Sequence, residues 1–317
     1  MRQAGRCIPA YRALRAKNSF GDLISRADLI TEVVLMPLEV FDVDAAILFA
    51  DIMTPVAALG IDFEIVEAVG PVIKNPIDSL HSVDRLNVAS AAEAVPQLFE
   101  AIRMVREATP KPLIGFAGGP FTLASYLVEG KADRAFTRTK EMMQSDPATW
   151  HALLAKLTQV LIDYLREQVR AGAQALQIFD SWVGALSAAE YQEFALPYSK
   201  LIFEQTANLG VPRIHFGTNT TDLLELMASP KPDVIGVDWR IPLDEAWARI
   251  GHGFAIQGNL DPAVLLASPQ GAIEEAREIL RRADERPGHI FNLGHGVAPN
   301  TPVDNIKALV DAVHSYR

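Results

Sequence analysis

Short, unbroken apolar runs recur along the chain with stretches of helical periodicity between most of them, and few folds accommodate that alternation. The runs are Ala45–Asp51, Leu113–Ala117, Ala175–Asp180, Arg213–Phe216, Val234–Asp238, Phe254–Gln257 and His289–Leu293. An apolar run with no polar alternation is a strand buried on both faces, and such strands separated by helices build a parallel sheet. A further strand around Met1 to Ala4 brings the number to eight, which closes a single (β/α)8 barrel of the TIM type. No sequence repeat or low-complexity linker divides residues 1–317 into two domains.

Between the first two runs the chain is longer than one strand-helix unit needs. Ile61 to Val66 and a turn at Gly70-Pro71 predict a small inserted hairpin, followed by a helix from about Ser90 to Ala108. A clearer helix starts where Asp146 can cap and Pro147 occupies the first turn. Its Leu154, Leu157, Leu161, Tyr164 and Leu165 recur at helical spacing until Gly172 stops it, so Tyr164 is predicted to lie in the core. Thr301-Pro302-Val303-Asp304 opens the last helix, whose Ile306, Leu309, Val310 and Val313 form one apolar stripe to pack on the barrel.

Composition narrows the function. A formal charge of -10 argues against general nucleic-acid binding, and the single cysteine, Cys7, excludes an internal disulfide or a multi-thiolate zinc site. The sequence has neither a run of roughly 18 apolar residues nor a charged-then-apolar leader, so no membrane span or secretory signal is expected and the cytoplasm is the default location. The charge is unevenly placed, however. Residues 1–21 carry Arg2, Arg6, Arg12, Arg15 and Lys17 ahead of the first acid, Asp22. Gly5 and Pro9 would interrupt the amphipathic helix of a targeting peptide, whereas arginine forks suit carboxylates or phosphates. An anionic ligand is the sharper expectation.

Candidate chemistry sits at strand ends. Asp51 closes the first long apolar run, and Tyr126, Ser181 and His295 fall at or beyond the ends of others, at the edge where parallel α/β folds bind ligands. Singly, each has a plain structural role open to it: turn residue, half-buried helix residue, helix cap, loop histidine. The Gly115–Pro120 stretch has the wrong spacing for a dinucleotide fingerprint and no lysine for a phosphate loop. Its glycines are expected to let backbone approach a flat ligand.

The segment MRQAGR (Met1 to Arg6) followed by Ile8-Pro9-Ala10-Tyr11-Arg12, and GFAGGPFTLASYLVEG (Gly115 to Gly130), resemble the two signature motifs of the uroporphyrinogen decarboxylase family. LFADI (Leu48 to Ile52), LQIFDSWVG (Leu176 to Gly184), VIGVDW (Val234 to Trp239), IQGNLDP (Ile256 to Pro262) and NLGHGV (Asn292 to Val297) are similar to further blocks, so the likeness covers nearly the whole chain. The resemblance implies a cofactor-free, metal-free carboxy-lyase that removes four acetate carboxyl groups from a flexible cyclic tetrapyrrole, and a homodimer with paired clefts.

Residue by residue, the resemblance implies that Asp51, Arg2 and Tyr126 are catalytic. It implies that Arg2, Gln3, Arg6, Asp51, Tyr126, Ser181 and His295 bind substrate, with Arg15 in support and Met1, Ile47, Phe49, Phe179 and Phe216 as apolar walls. Losing carbon dioxide leaves a carbanion-like centre, which a protonated pyrrole ring can absorb. An ionised Asp51 accepting pyrrole N–H bonds would stabilise that cationic ring. The proton donor stays open: a guanidinium is a poor acid, while Tyr126 and His295 are chemically easier sources.

Departures from the family pattern are also visible. Cys7 stands where the family commonly has tyrosine, Gly119 and Phe121 replace alanine and tryptophan, and His215 to Thr221 is less glycine-rich. Family members usually carry a few tens of residues before the first motif, so Met1 is expected to be a late start that leaves the first strand frayed. Two rival functions remain: a methyltransferase of the same superfamily, which would need zinc, and a tetrapyrrole-binding protein without activity. His215 and His295 could approach each other in a barrel, but no thiol lies near either in sequence.

Overall fold

Apolar runs in a parallel sheet need helices on their outer face, and the computed structural model, which describes residues 6–66 and 69–316, shows that layering. The strands are β1 (Ala46–Ile47), β2 (Phe63–Val66), β3 (Gly70–Ile73), β4 (Leu113–Gly118), β5 (Ala175–Phe179), β6 (Arg213–Phe216), β7 (Val234–Gly236), β8 (Ala255–Leu260) and β9 (His289–Leu293). Seven of them form one sheet in the order β1-β4-β5-β6-β7-β8-β9, every neighbouring pair parallel. Together with helices between successive strands this is a TIM-barrel-like α/β fold. The eighth strand expected at Met1 to Ala4 lies outside the described residues.

The expected hairpin is present as β2 and β3, antiparallel with Phe63 opposite Ile73. Gly70-Pro71 is the start of its second strand rather than its turn. The hairpin leans on the helix Pro120–Glu129 through Ile73 N donating to Gly130 O (2.7 Å) and Ile77 N to Leu127 O (2.9 Å). One predicted helix is divided: Ala91–Ala94 ends at Val95, and Pro96 opens Pro96–Ala108. Proline lacks the N–H that would continue the first helix but suits the first turn of the second. Pro147–Ala171 behaves as its sequence dictates. Asp146 accepts from Thr149 N (3.2 Å), Gly172 ends the helix at φ 123°, and Tyr164 is fully buried beside Phe99.

The strand expected over Ala45–Asp51 pairs only at Ala46 and Ile47, opposite Leu113 and Ile114. After Leu48 N donates to Ile114 O (3.0 Å) the ladder ends, and the chain crosses instead to Gly118, whose N–H donates to Ile52 O (3.4 Å). Among the described residues β1 and β9 are the two ends of the sheet. Between them lies a mostly apolar cavity of about 470 Å³, lined by Cys7, Ile47, Phe291, Leu293, Ile306 and Val310 among others. The stripe of the last helix, Val303–His314, therefore faces the sheet seam as expected.

His289, on the same seam, donates from Nε2 to Gly258 O (3.0 Å), and burial lowers its pKa more than that bond raises it. A histidine whose folded pKa lies below its unfolded value of 6.5 takes up its proton more readily in the unfolded chain. Its contribution to stability is thus present above that value and lost as pH falls from there through the lower folded value. Thermal melts between about pH 7.5 and 5.5 should show a fall in Tm that is shallower for His289→Gln. Equal slopes would remove His289 as the cause.

Candidate active site

Loops after the strands meet at the carboxyl edge of the sheet, and side-chain hydrogen bonds tie one to the next. Thr122 Oγ1, in the helix after β4, donates to Asp180 Oδ1 (3.3 Å) and accepts from Trp182 N (3.2 Å), joining β4 to β5. Thr218 Oγ1 donates to Ser181 O (2.6 Å) and Asn219 Nδ2 to Gly184 O (3.1 Å), joining β5 to β6. Asn219 N donates to Asp238 Oδ2 (2.6 Å), and Asn259 Nδ2 to Asp238 O (2.9 Å), which carries the rim across β7 to β8. Gly294 N donates to Leu260 O (2.7 Å) and brings β9 into line.

Tyr126, Ser181 and His295 belong to the segments this rim joins, and Asp51 lies beside it, next to Ile52, whose carbonyl accepts from Gly118 N. Asp51 is half-buried, and its Oδ1 accepts from Met53 N (2.9 Å) while its own N–H donates to Thr54 Oγ1 (3.2 Å). The turn-residue role and the site role thus coexist, since an ionised carboxylate has about four acceptor positions and the turn fixes its direction with one. The Asp51 charge also helps push the fully buried Tyr164 hydroxyl far above its ordinary pKa, after the larger effect of burial.

Tyr126 is buried and stacks on the ring of Trp182 with centroids 4.0 Å apart and planes 27° apart. Ser181 precedes that tryptophan and is half-buried. His295 is exposed, with the Trp239 ring edge-on at 6.5 Å. Sequence reasoning missed Trp182 and Trp239 as partners of these residues, although Trp239 stands directly after one identified apolar run and Trp182 two residues after another.

The apolar residues fall into two groups. Phe179 and Phe216 meet edge to face at 5.8 Å, and Phe116, which sequence reasoning omitted, extends the ladder at 5.4 Å from Phe179. Phe49 instead packs against Tyr11 and Phe20, and Ile47 lines the seam cavity. Arg2, Gln3 and Met1 lie outside the described residues. Arg6 is exposed just ahead of the helix Pro9–Lys17, and Arg15 Nη1 donates to Asn18 O (2.6 Å) at that helix's end.

Two expectations need correction. A Cβ on Gly119 would stand 2.5 Å from Asp180 Cγ, and one on Gly118 would stand 2.6 Å from Leu123 Cδ2 and 3.1 Å from Ile52 O. These glycines make room for the protein's own atoms rather than for a flat ligand. Nor do His215 and His295 share an environment. His215 Nδ1 donates to Met227 O (3.0 Å) and Nε2 faces Asp180 Oδ2 (3.6 Å) in a fully buried cluster with Ser199, whereas His295 is on the open rim. Among the described residues no three His, Cys, Asp or Glu side chains are grouped to hold a metal ion.

The family model for uroporphyrinogen decarboxylase matches residues 1–316. The chain is 46% identical over 316 residues to uroporphyrinogen decarboxylase of Carboxydothermus hydrogenoformans, covering 99% of this chain and 90% of that one. It is 51% identical over 323 residues to the enzyme of the same name from Rhodococcus erythropolis, again covering 99% and 90%. Among solved structures, a methyltransferase from Methanosarcina mazei aligns with a TM-score of 0.79 at 21% identity, over 93% of this chain and 87% of that one. At that identity the last likeness concerns the fold alone.

Proposed function

The chain belongs to the uroporphyrinogen decarboxylase family and is a decarboxylase of porphyrin biosynthesis, and from that premise we propose how its residues divide the work. Asp51 accepts hydrogen bonds from the pyrrole N–H groups of the tetrapyrrole and stabilises the ring when protonation makes it cationic. Preorganised charge of this kind costs no rearrangement at the moment of reaction. Tyr126, Ser181 and His295 orient the macrocycle along the rim, and Arg2, Gln3 and Arg6 hold its peripheral carboxylates. Loss of carbon dioxide then delivers the bond electrons to the protonated ring; protonation of the former acetate carbon makes a methyl group, and release of the proton the ring had taken up restores the pyrrole. Arg2, Tyr126 and His295 are the candidates for handling that proton, a tyrosine hydroxyl and a protonated imidazole both being better acids than a guanidinium.

What supports this division is that one hydrogen-bonded rim joins the segments carrying Tyr126 and Ser181 to those after β7, β8 and β9, with Asp51 beside it. The test is anaerobic incubation with the octacarboxylate porphyrinogen, following stepwise loss of carboxyl groups to the tetracarboxylate. Binding without carbon dioxide release would select the inactive tetrapyrrole-binding alternative. Arg6→Gln should raise KM by about tenfold with a smaller change in kcat, because a charge-assisted bond made equally in ground and transition states is lost. Unchanged affinity would argue against carboxylate binding by Arg6. The same proposal includes a homodimer, checked by mass in solution, and a cytoplasmic location, checked by fractionation.

A further inference from the structure

The substrate of this family presents eight carboxylates, and the cations assigned so far all lie at the start of the chain. The rim itself carries another. Past the end of β7, Arg240 directs its guanidinium over the Trp239 ring, 4.3 Å from the centroid, and donates from Nη1 to Asp238 Oδ2 at 2.5 Å. Asp238 is buried and held by more than this arginine, since its oxygens also accept from Arg240 N (3.0 Å) and Asn219 N (2.6 Å). Below it the chain is fixed by Asn259 Nδ2, which donates to Asp238 O and to Ile241 O (2.7 Å). Trp239 in turn stands edge-on to His295.

Arg240 is thus oriented before any ligand arrives, with 43% of its side chain exposed. One of its five N–H donors serves Asp238, and a planar fork on an aromatic face is suited to receiving a second carboxylate. Two backbone N–H groups on Asp238 offset part of that carboxylate's charge, so the pair is not a closed, neutral unit. We infer that Arg240, steered by Asp238 and Trp239, binds one peripheral carboxylate of the tetrapyrrole on the His295 side of the rim. The inference rests on the proposed substrate face of the rim, and it gives that face a cation remote in sequence from Arg2 and Arg6.

The experiment compares wild type, Arg240→Gln, Arg240→Lys and His295→Gln in anaerobic turnover of the octacarboxylate porphyrinogen, with inhibition by the tetracarboxylate product measured alongside. Arg240→Gln should raise KM about tenfold while kcat falls less than threefold, and Arg240→Lys should recover part of the loss by restoring the charge without the fork. Weakened octacarboxylate binding with unchanged product inhibition would identify an acetate arm as the partner. Equal weakening of both would identify a propionate arm. A KM within twofold of wild type in Arg240→Gln, or an equal loss in Gln and Lys variants that follows a lowered Tm, would overturn the inference. His295→Gln separates the two levels: if it alone impairs binding, only the Arg240 inference fails, and if neither variant does, the substrate face of the rim is misassigned.

Discussion

Asp51→Asn should lower decarboxylation by about 10²- to 10³-fold while leaving Tm within a degree or two of wild type. The size follows from losing a preorganised charge at a site where charge develops. The preserved fold follows from the local geometry. Asparagine keeps a carbonyl oxygen to accept from Met53 N, and the Asp51 N–H bond to Thr54 Oγ1 does not involve the side chain. What changes is the other half of the group, which turns from an anionic acceptor into an N–H donor facing pyrrole donors. Anaerobic turnover of the octacarboxylate porphyrinogen, with thermal melts on the same preparations, measures both quantities. Wild-type-like turnover would end the role given to Asp51, and a large drop in Tm would show that the turn bond, not the chemistry, dominates.

That Asp51 could be placed beside the carboxyl edge of the sheet reflects what a parallel sheet writes into a sequence. Strands buried on both faces leave continuous apolar runs, and the first polar residue after each run marks the edge where ligands bind. The positions of Asp51, Ser181 and His295 past strand ends were legible on that basis, and the Asp146, Pro147 and Gly172 signals fixed the ends of the longest helix because they act within one turn. Arg240 was not legible. Nothing in its own neighbourhood distinguishes a solvated surface arginine from one clamped by a buried aspartate, because the clamp depends on Asn219 and Asn259 arriving from other strands. Phe116 and the Trp182 ring under Tyr126 were missed for the same reason. The shortening of β1 is also a tertiary effect, since an apolar run says that a segment is buried, not that a partner strand continues beside it.

The glycines carry the same lesson in a form that can be tested. Gly184 lies in the short turn Val183–Ala185 after β5, and a Cβ there would stand 2.2 Å from Thr218 O and 2.5 Å from Asn219 O. These are backbone atoms of the loop after β6, so no rotamer change can relieve the contact. Gly184→Ala must push two rim loops apart, breaking or lengthening the bonds from Thr218 Oγ1 to Ser181 O and from Asn219 Nδ2 to Gly184 O. Overpacking costs about 1–3 kcal/mol, and backbone against backbone belongs at the upper end, which lowers Tm by about 4–5 °C in a chain of this size. Asn219 also supports Asp238, so the disturbance reaches Arg240, and kcat/KM should fall by more than tenfold even at temperatures where the variant is folded. Gly253→Ala is the matched control, because a Cβ there meets nothing within 4 Å; its Tm should stay within about 1–2 °C of wild type. A Gly184→Ala protein with unchanged melting and turnover would mean that the loops after β5 and β6 move independently, and that the rim is not the coupled unit on which substrate positioning relies.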